Sequence, residues 1–257
     1  MRKELAHFHI GESLGGNQDW FLDPLMKLGG CGAVTACDTC IWLAREFGTS
    51  GGVLGAEWLY PFDPQNLCRS DFLHFGRMMK PYLRPRAGGI NRLDLYIHGF
   101  SAYLRGRAES QREGVRSDKQ NAEDQAAEGK PLRMLRMDEF SGRRPVDEAW
   151  GAVVRQIDRG FPVPMLVLRH QNPEMKDFVW HWFLLIGYSD ETEKPERTGA
   201  PVSPDVSNSV ESCQTDRPKR QAKAVTYGES VWVDFDGLWD TGYEEKGGLV
   251  IYRWEPN

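Results

Sequence analysis

The chain reads as α+β, with helices in its first half and an antiparallel sheet in its second. Three observations predict this. After Gly32, Val34, Cys37, Ile41 and Ala44 recur at steps of three, four and three, the spacing of one helical face. From Phe178 to Tyr188 the chain is apolar on both faces of a strand, His181, Phe183 and Leu185 on one and Trp182, Leu184 and Ile186 on the other. Gly248 to Trp254 alternates loosely and completes a sheet.

Taken in order, the elements have local reasons. Gly29-Gly30-Cys31-Gly32-Ala33 opens the first helix, and its glycines permit a tight entry. At 100° per residue, Cys31 points about 110° from the centre of the apolar stripe, so it need not be core. A thiol at a helix N-terminus meets partial positive charge, which favours the thiolate, the form a nucleophile needs. Ser70 is placed to cap a helix from Asp71 to about Met79, ending near Pro81. A short helix is expected from Gly99 to about Gly106. Ala149, Trp150, Val153, Val154 and Ile157 share one face of a helix from Asp147 to Asp158. Strands are expected at about 163–169, 179–188, 230–235 and 248–254. No internal repeat is visible.

Two further side chains complete a chemical pattern. His181 opens a strand buried on both sides, and a buried imidazole needs a partner. A thiol at a helix mouth plus such a histidine is the arrangement in which imidazole takes the thiol proton. Ser230 to Gly237 reads as a short strand ending in Asp234 and Asp236, either of which could hold the imidazole tautomer. Asp234 is preferred because it still lies within the apolar run.

These residues resemble the papain-like cysteine peptidases of the bacteriocin-processing, double-glycine-leader type. The resemblance is carried by Gly30-Cys31-Gly32-Ala33 opening a helix, by Ile157 to Met165 running from a helix end into a strand, and by His181 to Tyr188 followed by a strand ending in aspartate. It touches residues from about 17 to 40 and 150 to 236. It implies a papain-like fold, a Cys31 nucleophile, a His181 base and an Asp234 orienter, acting on an amide or thioester bond. Two departures stand out. The family places an oxyanion-hole glutamine about six residues before the cysteine. Here the nearest amide pair is Asn17-Gln18, with Gln18 thirteen residues before Cys31. Residues 19–28 could loop out and return Gln18 to the site, where a donor to the oxyanion is worth roughly a hundred- to a thousandfold in rate. The second departure is the gap of 53 residues from His181 to Asp234.

An insertion accounts for that gap. Ser189 to Ala224 contains no Leu, Ile, Phe, Tyr or Trp but carries four prolines and many charges, the composition of a disordered loop. Without its 36 residues the separation falls to 17, which suits neighbouring strands. A second polar stretch, about 105–130, mixes both signs of charge and reads as a solvated loop or exposed helix. The remainder suits a single domain spanning 1–257.

Composition excludes other classes. Net charge is −5 and the isoelectric point about 5.7, so neither nucleic acid nor anionic membrane is expected as a partner. No apolar run approaches membrane-spanning length, and the N-terminus lacks a signal-peptide core. Five cysteines without a disulfide spacing suggest a reduced, cytoplasmic chain. Cys31, Cys37 and Cys40 diverge around one helix and cannot share a metal. Gly11 to Gly16 lacks the lysine of a phosphate loop. His7 and His9 read as surface residues. No cofactor is expected. The leading expectation is a cysteine hydrolase acting on a peptide or acyl substrate. The alternatives are an inactive peptide-binding module and an acyl-transferase acting on thioesters.

Overall fold

The computed structural model describes residues 1–48, 56–120, 134–190 and 219–255. Strand β1 (Arg2–Glu4) precedes a small hairpin of β2 (His9–Ile10) and β3 (Ser13–Leu14). A 3₁₀ turn, Gln18–Trp20, leads to α1 (Pro24–Gly29) and α2 (Cys31–Phe47). Helices α3 (Arg69–Leu83) and α4 (Leu93–Gln120) follow. The second half contains β4 (Leu135–Ser141), α5 (Val146–Asp158), β5 (Val163–Val167), β6 (His181–Ser189), β7 (Gln221–Thr226), β8 (Glu229–Asp234), α6 (Phe235–Trp239) and β9 (Gly248–Trp254). The main sheet runs β4-β9-β5-β6-β7-β8, and β1 pairs with β6 beyond the end of β5. Every pairing is antiparallel. The architecture is therefore helices packed on an antiparallel sheet.

Helix α2 is the centre. Every residue from Cys31 to Ala44 is buried. The predicted one-sided stripe is thus too narrow: α3 and the 3₁₀ turn Glu57–Leu59 cover one side of α2 and β6 the other, and a helix enclosed all round needs no polar face. Strand β6 is buried along its whole length, as its two apolar faces require.

Several expectations need correction. The short helix expected from Gly99 is the middle of α4, because Leu93, Tyr96, Phe100, Tyr103, Leu104 and Ala108 continue one buried stripe in both directions. The first part of the polar stretch at 105–130 is accordingly helical, and 121–130 lies outside the described residues. Helix α3 starts at Arg69 after Cys68, without a side-chain cap from Ser70, and carries Pro81 in its last turn. Of the insertion expected at 189–224, residues 191–218 lie outside the described residues. Residues 221–224 belong to β7, where Ala222 and Ala224 are fully buried; small side chains hid a strand in a polar context.

One buried amide shows how the layers are joined. Where β5 ends beside β9, the main chain of Tyr252 has no strand partner on that edge. Gln156 of α5 replaces it, donating from Nε2 to Tyr252 O at 2.9 Å and accepting from Tyr252 N at 2.9 Å. Replacing Gln156 by leucine strands both groups, each costing about 1–3 kcal/mol. Gln156→Leu should therefore lower the unfolding free energy by roughly 2–4 kcal/mol, measured by urea denaturation.

Candidate functional site

Cys31 sits where two helices abut. Gly30 closes α1 through its N–H to Met26 O at 2.9 Å and is also the N-cap of α2. Its φ of −84° is ordinary, so the glycine pair serves close approach. A Cβ on Gly30 would lie 2.2 Å from Met26 O, and one on Gly29 would lie 2.0 Å from Arg86 O. Cys31 is only 5% exposed. Burial pushes its thiol above the usual range, against the opposing pull of the main-chain N–H groups of Trp182, Gly32 and Cys31 itself. The thiolate expected at a helix mouth is therefore not the resting form, because desolvation outweighs the helix terminus here.

His181 opens β6, directly after Trp180, whose backbone is left-handed at φ 54°. Its Nε2 lies 2.6 Å from Thr226 Oγ1. Its ring is stacked on Tyr227, centroids 4.6 Å apart and planes within 6°. The Tyr227 hydroxyl is 3.4 Å from Nδ1, but with the rings parallel it lies over the imidazole face. The hydroxyl therefore does not occupy the in-plane direction of the Nδ1 lone pair. Burial lowers the imidazole to about 4, so His181 is neutral at pH 7.

Thr226 and Tyr227 reach this place through a hairpin that the sequence reading missed. Thr226 pairs with Glu229, and only Tyr227 and Gly228 intervene, at φ 52° and 81°. Two consecutive left-handed residues are the favoured link between twisted strands. The available signal was Tyr227-Gly228 between two short runs of strand-forming residues.

Asn17 and Gln18 have separate roles. Asn17 caps the 3₁₀ turn by accepting from Asp19 N and donates from Nδ2 to Tyr227 O at 2.9 Å. Gln18 donates to Lys27 O at 3.2 Å, while its buried Oε1 has no partner. Residues 19–28 do loop out and bring Gln18 back beside Cys31. A cavity of about 20 Å³, room for one water, is bordered by Gln18, Cys31, Thr35, Asp38, His181 and Tyr227.

Asp234 is not part of this group. It pairs with Gln221 at the far end of the β7–β8 ladder, five residues and about 17 Å from Thr226. Its carboxylate accepts from Gly237 N at 3.1 Å and caps α6. Asp236 is ion-paired with Arg220, in a wider polar groove of about 740 Å³ that also contains His170 and Trp239. Among the described residues it is Thr226, and no aspartate, that is hydrogen-bonded to the His181 ring at Nε2. Among the described residues no hydrogen bond joins Cys31 to His181, and no three His, Cys, Asp or Glu side chains are grouped to hold a metal. No helix among them is long and apolar enough to cross a membrane.

Two more titratable groups lie close by. Asp38, one face along α2 from Cys31, accepts from Gly16 N at 3.0 and 3.2 Å and is held up at about 8 by burial. His7, read from the sequence as a surface residue, has both ring nitrogens buried without a partner and is lowered to about 3, chiefly by burial.

Comparison with family models, with curated proteins and with solved structures finds no match to this chain.

The buried groups set a pH dependence of stability. His7 and His181, lowered from 6.5, are neutral when folded, so below pH 6.5 unfolding takes up protons and stability falls as pH drops towards 4. Asp38, raised from 3.8, is protonated when folded, so its contribution is lost as pH rises towards 8. Between pH 4 and 6.5 the two histidines outweigh one aspartate; above 6.5 Asp38 acts alone among these three. Stability should peak near pH 6.5, and Asp38→Asn should flatten the alkaline limb between pH 6.5 and 8, read from urea midpoints across pH.

Proposed function

We propose that the chain is a cysteine hydrolase of papain-like fold, cleaving a peptide or amide bond through an acyl-enzyme on Cys31. One observation carries this reading: Cys31, His181 and Gln18, drawn from three separate elements, border one small polar cavity. The placing of Cys31 at the start of a buried helix packed on the strand that begins with His181 supports the papain-like assignment.

The chemistry follows from the hydrogen bonding. With Nε2–H donated to Thr226 Oγ1, the lone pair of His181 is on Nδ1. That nitrogen accepts the Cys31 proton as sulfur attacks the substrate carbonyl. The Cys31 main-chain N–H and the Gln18 side-chain amide donate to the oxyanion. His181 then protonates the departing amine, and later deprotonates the water that releases the acid. A hydroxyl stabilises an imidazolium less than a carboxylate does, and His181 rests neutral beside a protonated thiol. Turnover is thus expected to rise on the alkaline side, as the thiol ionises.

The same attack on a thioester, with the leaving thiol protonated by His181 and an acceptor nucleophile taking the acyl group in place of water, would make the chain an acyl-transferase. The buried, protonated thiol, with no hydrogen bond to His181, favours the other alternative, an inactive peptide-binding module. The free thiols Cys31, Cys37, Cys40 and Cys68 fit a reducing, cytoplasmic setting.

The test is turnover of a panel of peptides, esters and acyl-thioesters. Cys31→Ala should abolish it. Wild-type protein without turnover, with peptide binding that survives Cys31→Ser, would replace the hydrolase reading by the binding module. Thr226→Val should lower kcat/KM about 10- to 100-fold, with Thr226→Ser restoring most of it. Asp234→Ala should leave kcat/KM within about twofold while lowering stability by about 1 kcal/mol, the usual cost of a lost helix cap.

A further inference from the structure

Cys31 is 5% exposed, and one turn of chain lies against its thiol. Between α3 and α4, residues 84–92 form a loop whose turn, Arg86 to Gly89, is closed by Gly89 N donating to Arg86 O at 2.8 Å. That turn lies across the thiol. A Cβ on Gly89 would be 3.5 Å from Cys31 Sγ and 3.9 Å from Trp180 O, and Arg86 O is pressed against Gly29. On the far side of the turn Ile90 is buried, and its carbonyl accepts from Trp182 Nε1 at 2.6 Å. The cavity that Cys31 borders together with His181 and Gln18 is about 20 Å³, room for a single water and for no acyl group.

We infer that the Arg86–Gly89 turn is a strap that holds the Cys31 site closed and lifts locally to admit substrate. The backbone is suited to this. Gly88 and Gly89 are both left-handed, at φ 83° and 68°, and can exchange that conformation for others without the penalty an L side chain carries. Ala87 and Gly88 are exposed at the tip, and nothing lies within 4 Å of a Cβ on Gly88. The loop is held at its ends, by buried Pro85 and by buried Gly89 and Ile90, while Arg86, Ala87 and Gly88 between them are exposed. The resting enzyme is consequently closed, with a protonated thiol, and opening both admits substrate and lets water reach the sulfur. This gating rests on the reading of Cys31 as the reactive thiol of the site.

The experiment is the labelling rate of each cysteine by iodoacetamide at pH 8, followed by peptide mapping of the full chain. Cys37 and Cys40 are wholly buried in α2 and report global unfolding. Wild-type Cys31 should label more slowly than exposed Cys68 but much faster than Cys37 and Cys40. Gly88→Ala adds no clash, only a left-handed alanine, and should speed Cys31 labelling about tenfold, the factor that 1.4 kcal/mol of left-handed strain corresponds to. Trp182→Phe, which removes the hydrogen bond to Ile90 O, should act in the same direction. Both variants should leave Cys37 and Cys40 labelling at wild-type rates relative to their unfolding free energies. The strap is overturned if Cys31 labels no faster than Cys37 and Cys40, as fast as Cys68, or at an unchanged rate in both variants. Labelling reads access alone. A protein that labels as expected yet turns over no substrate sinks the hydrolase reading and leaves the strap standing.

Discussion

The enclosure of α2 on every side is the constraint from which the site follows. A helix with no solvent face places its first residue inside the molecule, so Cys31 enters the site already desolvated. The same enclosure traps Asp38 two turns further along, with only the N–H of Gly16 to satisfy its carboxylate. Helix-terminus electrostatics are worth a fraction of a kcal/mol to about 2 kcal/mol, and burial of an ionised group costs more. The outcome is a neutral site: protonated thiol, neutral imidazole and protonated carboxyl around one small cavity.

Around that helix, short-range backbone geometry does the positioning. The two-residue turn at Tyr227-Gly228 folds β8 back on β7 and lays the tyrosine ring on the imidazole, while Thr226, one residue earlier, reaches Nε2. Asn17 ties the N-terminal segment to the same turn through Tyr227 O, and so fixes the neighbouring Gln18 beside the thiol. Three segments far apart in sequence are locked by a handful of short side-chain contacts. None depends on a long charged side chain, which explains how an acidic, highly charged chain can hold a site without an ion pair in it.

Much of this was legible in the residues. Gly30-Cys31-Gly32 opening a helix, His181 opening an apolar strand, and the loop-out that returns Gln18 are patterns of spacing and local backbone need, and all three stand in the structure. Asp234 lies away from His181 because separation along the chain does not say which end of a strand a residue reaches. Counting residues made β8 a neighbour of the His181 region; only the register Gln221↔Asp234 shows that the carboxylate points to the opposite end of the ladder. Thr226 was passed over because a threonine in a strand has no chemical signature until an imidazole nitrogen is beside it.

The sequence by itself determined the periodic and chemical features: where helices and strands run, which thiol begins a helix, which histidine begins a buried strand, and the absence of a strong charge imbalance. Those are local properties, set by spacing, side-chain type and turn chemistry. The tertiary structure alone decided protonation, partnership and access. Whether Cys31 is charged depends on how much protein surrounds it, whether His181 meets Thr226 or Asp234 depends on strand register, and what lies against the sulfur depends on a turn 55 residues further along the chain packing against Gly29. Each is a distance through space between residues remote in sequence, and desolvation and hydrogen bonding act only through such distances.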